Sequence, residues 1–180
     1  MRLNLIVFFL SFIFFAPLVH AHTFTGMVGF YDGLSHPVLG IDHFLAMVSV
    51  GVVSAQIGGR AIWTIPATFV LMMIVGGTIG MLIEVFFFDF EEFAFVVVEY
   101  GIVFSVILLG LAIAIEKKIA TNIIMIFICI FGMCHGLAHG MEMPWAVNPI
   151  LFALGFASGT ATLHLFGVGI GSQLLRPNFH

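Results

Sequence analysis

Residues 93–115 read FAFVVVEYGIVFSVILLGLAIAI, an apolar run that contains a single acidic or basic side chain, Glu99. A helix of this length crosses a hydrocarbon layer of about 30 Å, and it satisfies its own backbone hydrogen bonds in lipid. Similar runs lie at about 38–58, 61–83, 119–141 and 149–172. The sequence therefore predicts an all-α fold, a polytopic membrane helix bundle with five transmembrane helices.

The overall composition supports a membrane protein. Of the 180 residues, 62% are hydrophobic and only 8% are charged, whereas about a quarter of the residues in ordinary soluble domains are charged. The net charge is −4 and the five Lys and Arg residues are scattered, which argues against a nucleic-acid partner. Cys129 and Cys134 lie within one apolar run, a spacing that argues against a disulfide framework or a thiolate zinc site.

The amino-terminal segment is typical of a secretory signal peptide. Arg2 precedes an apolar run at 5–18, and the small-residue pattern Val19-His20-Ala21 follows it. The run is short for a membrane span of about 20 residues. We therefore expect cleavage after residue 21, so that residues 22–180 form a single transmembrane domain beginning at His22. The alternative is an uncleaved first helix.

The charged residues between the predicted helices alternate in sign. Cations follow the first, third and fifth helices, while acidic residues follow the second and fourth: Arg60, Lys117, Lys118 and Arg176 against Asp89, Glu91, Glu92 and Glu142. Cytoplasmic loops of membrane proteins carry the excess of Lys and Arg. We therefore expect a multi-pass protein of the bacterial inner membrane, with the mature amino terminus outside and the carboxyl terminus inside.

Two clusters of metal-binding residue types lie at ends of these helices. The first is HPVLGIDH, residues 36–43. Because proline suits the first turn of a helix, we expect His36 at the helix mouth, with Asp42 and His43 about two turns deeper. His36 and His43 are seven residues apart, which places them near one face of a continuous helix.

The second cluster is HGLAHGME, residues 135–142, in which His135, His139 and Glu142 follow an i, i+4, i+7 pattern along one helical face. The predicted orientation brings both clusters to the outer half of the membrane, with Glu99 at a similar depth and His164 deeper. A structural hydrogen-bonding role is the alternative for any one histidine. Taken together, the candidate metal ligands are His36, Asp42, His43, Glu99, His135, His139 and Glu142.

Imidazole and carboxylate ligands without thiolate suit nickel, cobalt or zinc rather than copper(I). Ionisable groups inside membrane helices usually face the bundle interior and mark a pathway or a site. The glycines that recur at helix-packing spacing, such as Gly132, Gly136 and Gly140, are interpreted as close-packing positions between helices.

Four segments together resemble the HupE/UreJ family of nickel permeases: HPVLGIDHFLAMVSVG, QIGGRAIW, EYGIVFSVILLG and HGLAHGME. The resemblance runs from about residue 36 to 176. It implies secondary uptake of Ni²⁺, or of Co²⁺, that supplies hydrogenase or urease maturation. It also implies no enzymatic activity and no permanently bound cofactor. Family members usually continue into one more carboxyl-terminal helix, whereas this sequence stops at RPNFH.

Two other functions fit the same residues. In an intramembrane metal-dependent hydrolase, histidines would hold zinc and Asp42, Glu99 or Glu142 would activate water. In a non-transporting assembly partner of a metalloenzyme, the motif residues would tolerate substitution. The sequence contains no GxxxxGK[ST] phosphate-binding loop. Transport by this polypeptide would therefore draw on the membrane potential or on protons.

Overall fold

The computed structural model describes residues 29–115, 119–143 and 147–174, and for residues 88–92 it describes the backbone alone. These ranges form six helices and short connections: α1 Gly29–Leu39, α2 Ile41–Ile57, α3 Ala61–Phe86, α4 Phe88–Ile115, α5 Thr121–Met141 and α6 Pro149–Leu174. The expected signal peptide and His22 lie outside the described residues, as do Lys117, Lys118 and Arg176. Within these ranges the predicted all-α fold is confirmed.

The predicted transmembrane helices correspond to α3, to Phe93–Ile115 of α4, to α5 and to α6, each long and apolar enough to cross a membrane. The remaining predicted span, the first along the chain, corresponds to α1 and α2, which are bent by 81° at Gly40 and form either a broken span or a re-entrant loop. With only 17 residues, α2 is short for a span of about 20 residues. The described part of the chain therefore has four continuous candidate spans, or five when the bent pair counts as one.

The break at Gly40 corrects the expected start of the first span. Pro37 lies inside α1, near its carboxyl end, rather than in the first turn of the spanning helix. Gly40 has extended backbone angles, φ −82° and ψ 117°, and its carbonyl accepts the first hydrogen bond of α2 from the N–H of Phe44 at 2.8 Å. Glycine weakens a helix interior, so the chain turns there and His36 and His43 stand on different helices.

The bundle has an apolar exterior and an interior that contains polar groups. Large apolar side chains such as Trp63, Phe86 and Ile150 are 67%, 70% and 71% exposed, as expected of positions that face lipid. The buried residues include apolar side chains and also a polar set: His43, Ser49, Ser54, Ser105, His135, His139, Thr160 and His164. The chain is an integral membrane protein whose polar residues gather inside the bundle.

Glycines allow the helix backbones to touch at the main packing contacts. A side chain at Gly136 would collide with the carbonyl of Met73, which joins α5 to α3. On α6, Gly155 lies against the carbonyl of Phe30 in α1, and Gly167 lies against the carbonyl of Val48 in α2. Small residues have this role in membrane helix packing. The interpretation of the glycine stripes as close-packing positions is therefore confirmed.

Candidate metal site

Four histidine rings from three helices form one cluster at the end of the bundle where α2 begins and α5 ends. The ring centre of His139 lies 4.4 Å from that of His36 and 4.5 Å from that of His43. The ring of His135 lies 5.2 Å from that of His43. The bend at Gly40 allows this contact, because it turns α1 so that His36 lies beside His139 at the same end of the bundle.

Asp42 fixes the orientation of His43. One carboxylate oxygen of Asp42 accepts hydrogen bonds from the backbone N–H of His43 and from its ring Nδ1, both at 2.9 Å. A carboxylate of this kind only accepts, so the ring hydrogen belongs on Nδ1. The other nitrogen, Nε2, is buried without a hydrogen-bond partner. Its lone pair is therefore available to a metal ion, in the arrangement by which carboxylates orient histidine ligands.

His135 is oriented in the same way by its own helix. Its Nδ1 donates to the backbone carbonyl of Phe131 at 2.8 Å, and a carbonyl oxygen can only accept. The ring is completely buried, and its Nε2 has no hydrogen-bond partner. A buried unpartnered polar atom costs about 1–3 kcal/mol. The cluster therefore contains at least two imidazole nitrogens that a bound cation would satisfy.

His36, His139 and Glu142 form a second group of potential ligands beside these two. One ligand atom from each lies within 4.8 Å of the others, and Nδ1 of His139 is 3.9 Å from a carboxylate oxygen of Glu142. Two ligands of one ion are separated by at most about 4.2 Å, twice a metal–nitrogen bond of about 2.1 Å. The three side chains therefore have to move inwards slightly to share an ion.

Glu99 completes the predicted set from α4. Its side chain is half-buried and lies within electrostatic range of Asp42 and His43. The structure thus brings all seven predicted ligand candidates to one end of the bundle, on α1, α2, α4 and α5.

Aromatic rings pack against the histidines. No sequence pattern indicated these rings in advance. The ring of Phe156 lies 4.4 Å from that of His139 and 5.9 Å from that of His36. The completely buried ring of Phe69 lies 5.3 Å from that of His135. Phenylalanine occurs 22 times in the chain, so its presence in an apolar helix carries no signal of a site.

His164, expected to lie deeper than the two clusters, packs against Phe69. Its ring centre lies 5.2 Å from that of Phe69. The ring is completely buried, and neither of its nitrogens has a hydrogen-bond partner. His164 and His135 of the four-histidine cluster thus share one aromatic neighbour, Phe69.

Comparison with known proteins identifies the family of the chain. The family model described as HupE / UreJ protein matches residues 10–179. The chain is similar to Protein HupE of Rhizobium leguminosarum bv. viciae, with 37% identity over 155 residues that cover 86% of this chain and 76% of that protein. No solved structure matches the chain. The match of the family model over nearly the whole chain, together with this relative, shows that the chain belongs to the HupE/UreJ family.

Proposed function

We propose that this protein carries Ni²⁺, or Co²⁺, inwards across the bacterial inner membrane through the histidine and carboxylate cluster. Membership of the HupE/UreJ family supports a general role in nickel or cobalt transport. Such uptake would supply the maturation of a hydrogenase or a urease. The metal is the transported substrate, and the proposal includes neither a permanently bound cofactor nor an enzymatic step.

The observation that carries the proposal is the pair of oriented imidazoles. His43 and His135 each donate from Nδ1 to a fixed acceptor and leave Nε2 buried and unpartnered. A histidine held only for structure would have hydrogen-bond partners for its buried ring nitrogens, whereas each of these two rings leaves one nitrogen unpartnered. Nitrogen ligands with nearby carboxylates suit the borderline ions nickel and cobalt.

The direction of transport follows from the predicted orientation. Among the described residues, the loop cation is Arg60. It follows α2 at the end opposite the histidine cluster. If the cations face the cytoplasm, the cluster opens towards the outside, where a hydrated ion would exchange water for imidazole and carboxylate. Inward movement of a dication gains about 2.3 kcal/mol per charge at 100 mV. This gain supports accumulation without ATP.

The experiment is an uptake assay with radiolabelled Ni²⁺ and Co²⁺ in cells that express the chain, compared with cells that carry the empty vector. We expect saturable uptake of at least one of the two ions. Competition by Zn²⁺ measures selectivity. If uptake equals that of the empty vector although the protein is present in the membrane, the transport proposal is wrong. Stoichiometric zinc with hydrolysis of a lipid-accessible substrate would instead favour the intramembrane hydrolase.

A further inference from the structure

A second polar group lies deeper in the bundle than the four-histidine cluster. Thr160 and His164 are four residues apart on α6, which places them on one face of that helix. Both side chains are completely buried. The hydroxyl of Thr160 lies 3.6 Å from the sulfur of Met73 on α3. The hydroxyl of Thr160 therefore meets the thioether of Met73 between α3 and α6, and the imidazole of His164 lies one turn further along the same face of α6.

His164 has no structural partner that explains its presence. A neutral imidazole has one hydrogen to donate and one lone pair to offer, and neither ring nitrogen of His164 makes a hydrogen bond. A phenylalanine or leucine would fill the same volume without burying unpaired polar atoms. The backbone of α6 is held firmly at this point, because the carbonyl of His164 lies against Gly51 of α2. The backbone that carries the ring is thus fixed by close helix packing, while both ring nitrogens stay unpaired.

The deeper group is continuous with the outer cluster through one side chain. The ring of Phe69 packs against both His135 and His164, with ring centres 5.3 Å from the first and 5.2 Å from the second. Phe69 and Met73 are four residues apart on α3, so the same helix face carries both the shared ring and the thioether. His135 and His164 are also within electrostatic range of each other.

We propose that His164, with the Thr160 hydroxyl and the Met73 sulfur, is an inner binding site for the transported divalent cation, and that it adjoins the outer cluster through their shared neighbour Phe69. This inference rests on the proposed function. The donors are all neutral, unlike the outer cluster with its carboxylates, so the inner site holds a dication more weakly. Weak binding at successive sites is what release on the far side requires.

The test uses the full-length protein, purified in detergent, and equilibrium dialysis against Ni²⁺ alone. We expect two classes of site in the wild-type protein. His164→Phe keeps a ring against Phe69 and is expected to lose the weaker class, whereas His139→Gln is expected to lose the tighter one. In vesicles reconstituted with the protein, His164→Phe is expected to lower Ni²⁺ uptake by at least about tenfold, the scale of losing a metal-site partner.

A matched pair of threonine variants separates binding from packing. Thr160→Val removes the hydroxyl inside the bundle and is expected to weaken the second class of site. Thr162→Val removes a hydroxyl from the exposed face of the same helix, where it donates to the carbonyl of Ser158, and is expected to leave the isotherm unchanged.

If His164→Phe gives the same Ni²⁺ binding isotherm as the wild-type protein, the proposal of an inner site is wrong, whether the variant keeps or loses Ni²⁺ uptake. If the wild-type protein takes up no Ni²⁺, the proposed transport function is contradicted. The Ni²⁺ binding isotherm still tests the inner site in that case, because it does not depend on uptake.

Discussion

At the scale of single residues, Asp42 is important for its effect on its neighbour. Its carboxylate accepts two hydrogen bonds from His43, so it sets both the ring orientation and the nitrogen that carries the hydrogen. Metal affinity commonly falls about 10–100-fold when such a supporting group is removed. Asp42 therefore matters for metal binding even if it does not itself contact the ion.

Protonation of the histidines is expected to compete with the metal. A histidine has an ordinary pKa of about 6.5 and must be neutral to bind a cation. Because low pH adds the proton that blocks the nitrogen, Ni²⁺ uptake should decrease as the external pH is lowered from about 7 towards about 5. The measurement is the initial uptake rate as a function of external pH at constant membrane potential. A rate that rises steadily with acidity would indicate coupling to inward proton movement instead.

At the scale of helices, the contact between α6 and α2 depends on glycine at particular positions. Gly167 lies against the carbonyl of Val48, whereas at Gly169 no atom of another helix lies within 4 Å of the position where a side chain would begin. Gly167→Ala should lower the stability by about 1–3 kcal/mol because the helices must separate. Gly169→Ala should keep or raise the stability, because alanine favours a helix over glycine by about 0.5–1 kcal/mol.

Thermal unfolding of both alanine variants in the same detergent is the appropriate comparison. The expected order of midpoints is Gly167→Ala lowest, with the wild type and Gly169→Ala above it. Equal midpoints for the two variants would show that the close contact between α6 and α2 does not contribute to stability.

Most of the helix arrangement could be predicted from the sequence, because apolar runs of sufficient length have one stable form in lipid. The convergence of residues 36–43 and 135–142 at one end also followed from alternating helix direction. The break at Gly40 could not be predicted in this way, because a glycine in an apolar run is found both at packing contacts and at bends. Phe69 could not be recognised either, because its contacts with His135 and His164 depend on how α3 packs.

At the scale of the whole molecule, the orientation in the membrane remains a prediction from loop charges. Arg60 and Phe87 flank α3 at opposite ends, and both are exposed. In a background with Cys129→Ser and Cys134→Ser, a cysteine introduced as Phe87→Cys should react with an impermeant thiol reagent added outside intact cells. The variant Arg60→Cys should react only after the membrane is opened. The reverse pattern would place the histidine cluster on the cytoplasmic side.

Processing of the amino terminus decides where the mature protein begins. The signal-peptide pattern predicts that the mature chain begins at His22, because the small residues at 19 and 21 form a cleavage site. Intact-mass measurement of the protein extracted from membranes is expected to give the mass of residues 22–180. A mass that includes Met1 would contradict cleavage and add an amino-terminal helix to the bundle.

The histidine and carboxylate cluster is the proposed path of the metal ion. Asp42→Asn keeps the side-chain volume and an acceptor oxygen but removes the negative charge beside His43, and His139→Gln removes the imidazole that lies closest to His36 and His43. Asn122→Gln, at the exposed opposite end of α5, is the matched control.

The decisive measurement is the initial rate of radiolabelled Ni²⁺ uptake in cells that contain equal amounts of each protein in the membrane. Asp42→Asn and His139→Gln are each expected to reduce the rate by at least about tenfold, while Asn122→Gln keeps the wild-type rate. Wild-type rates in both Asp42→Asn and His139→Gln would contradict the metal path and leave these residues with a structural role.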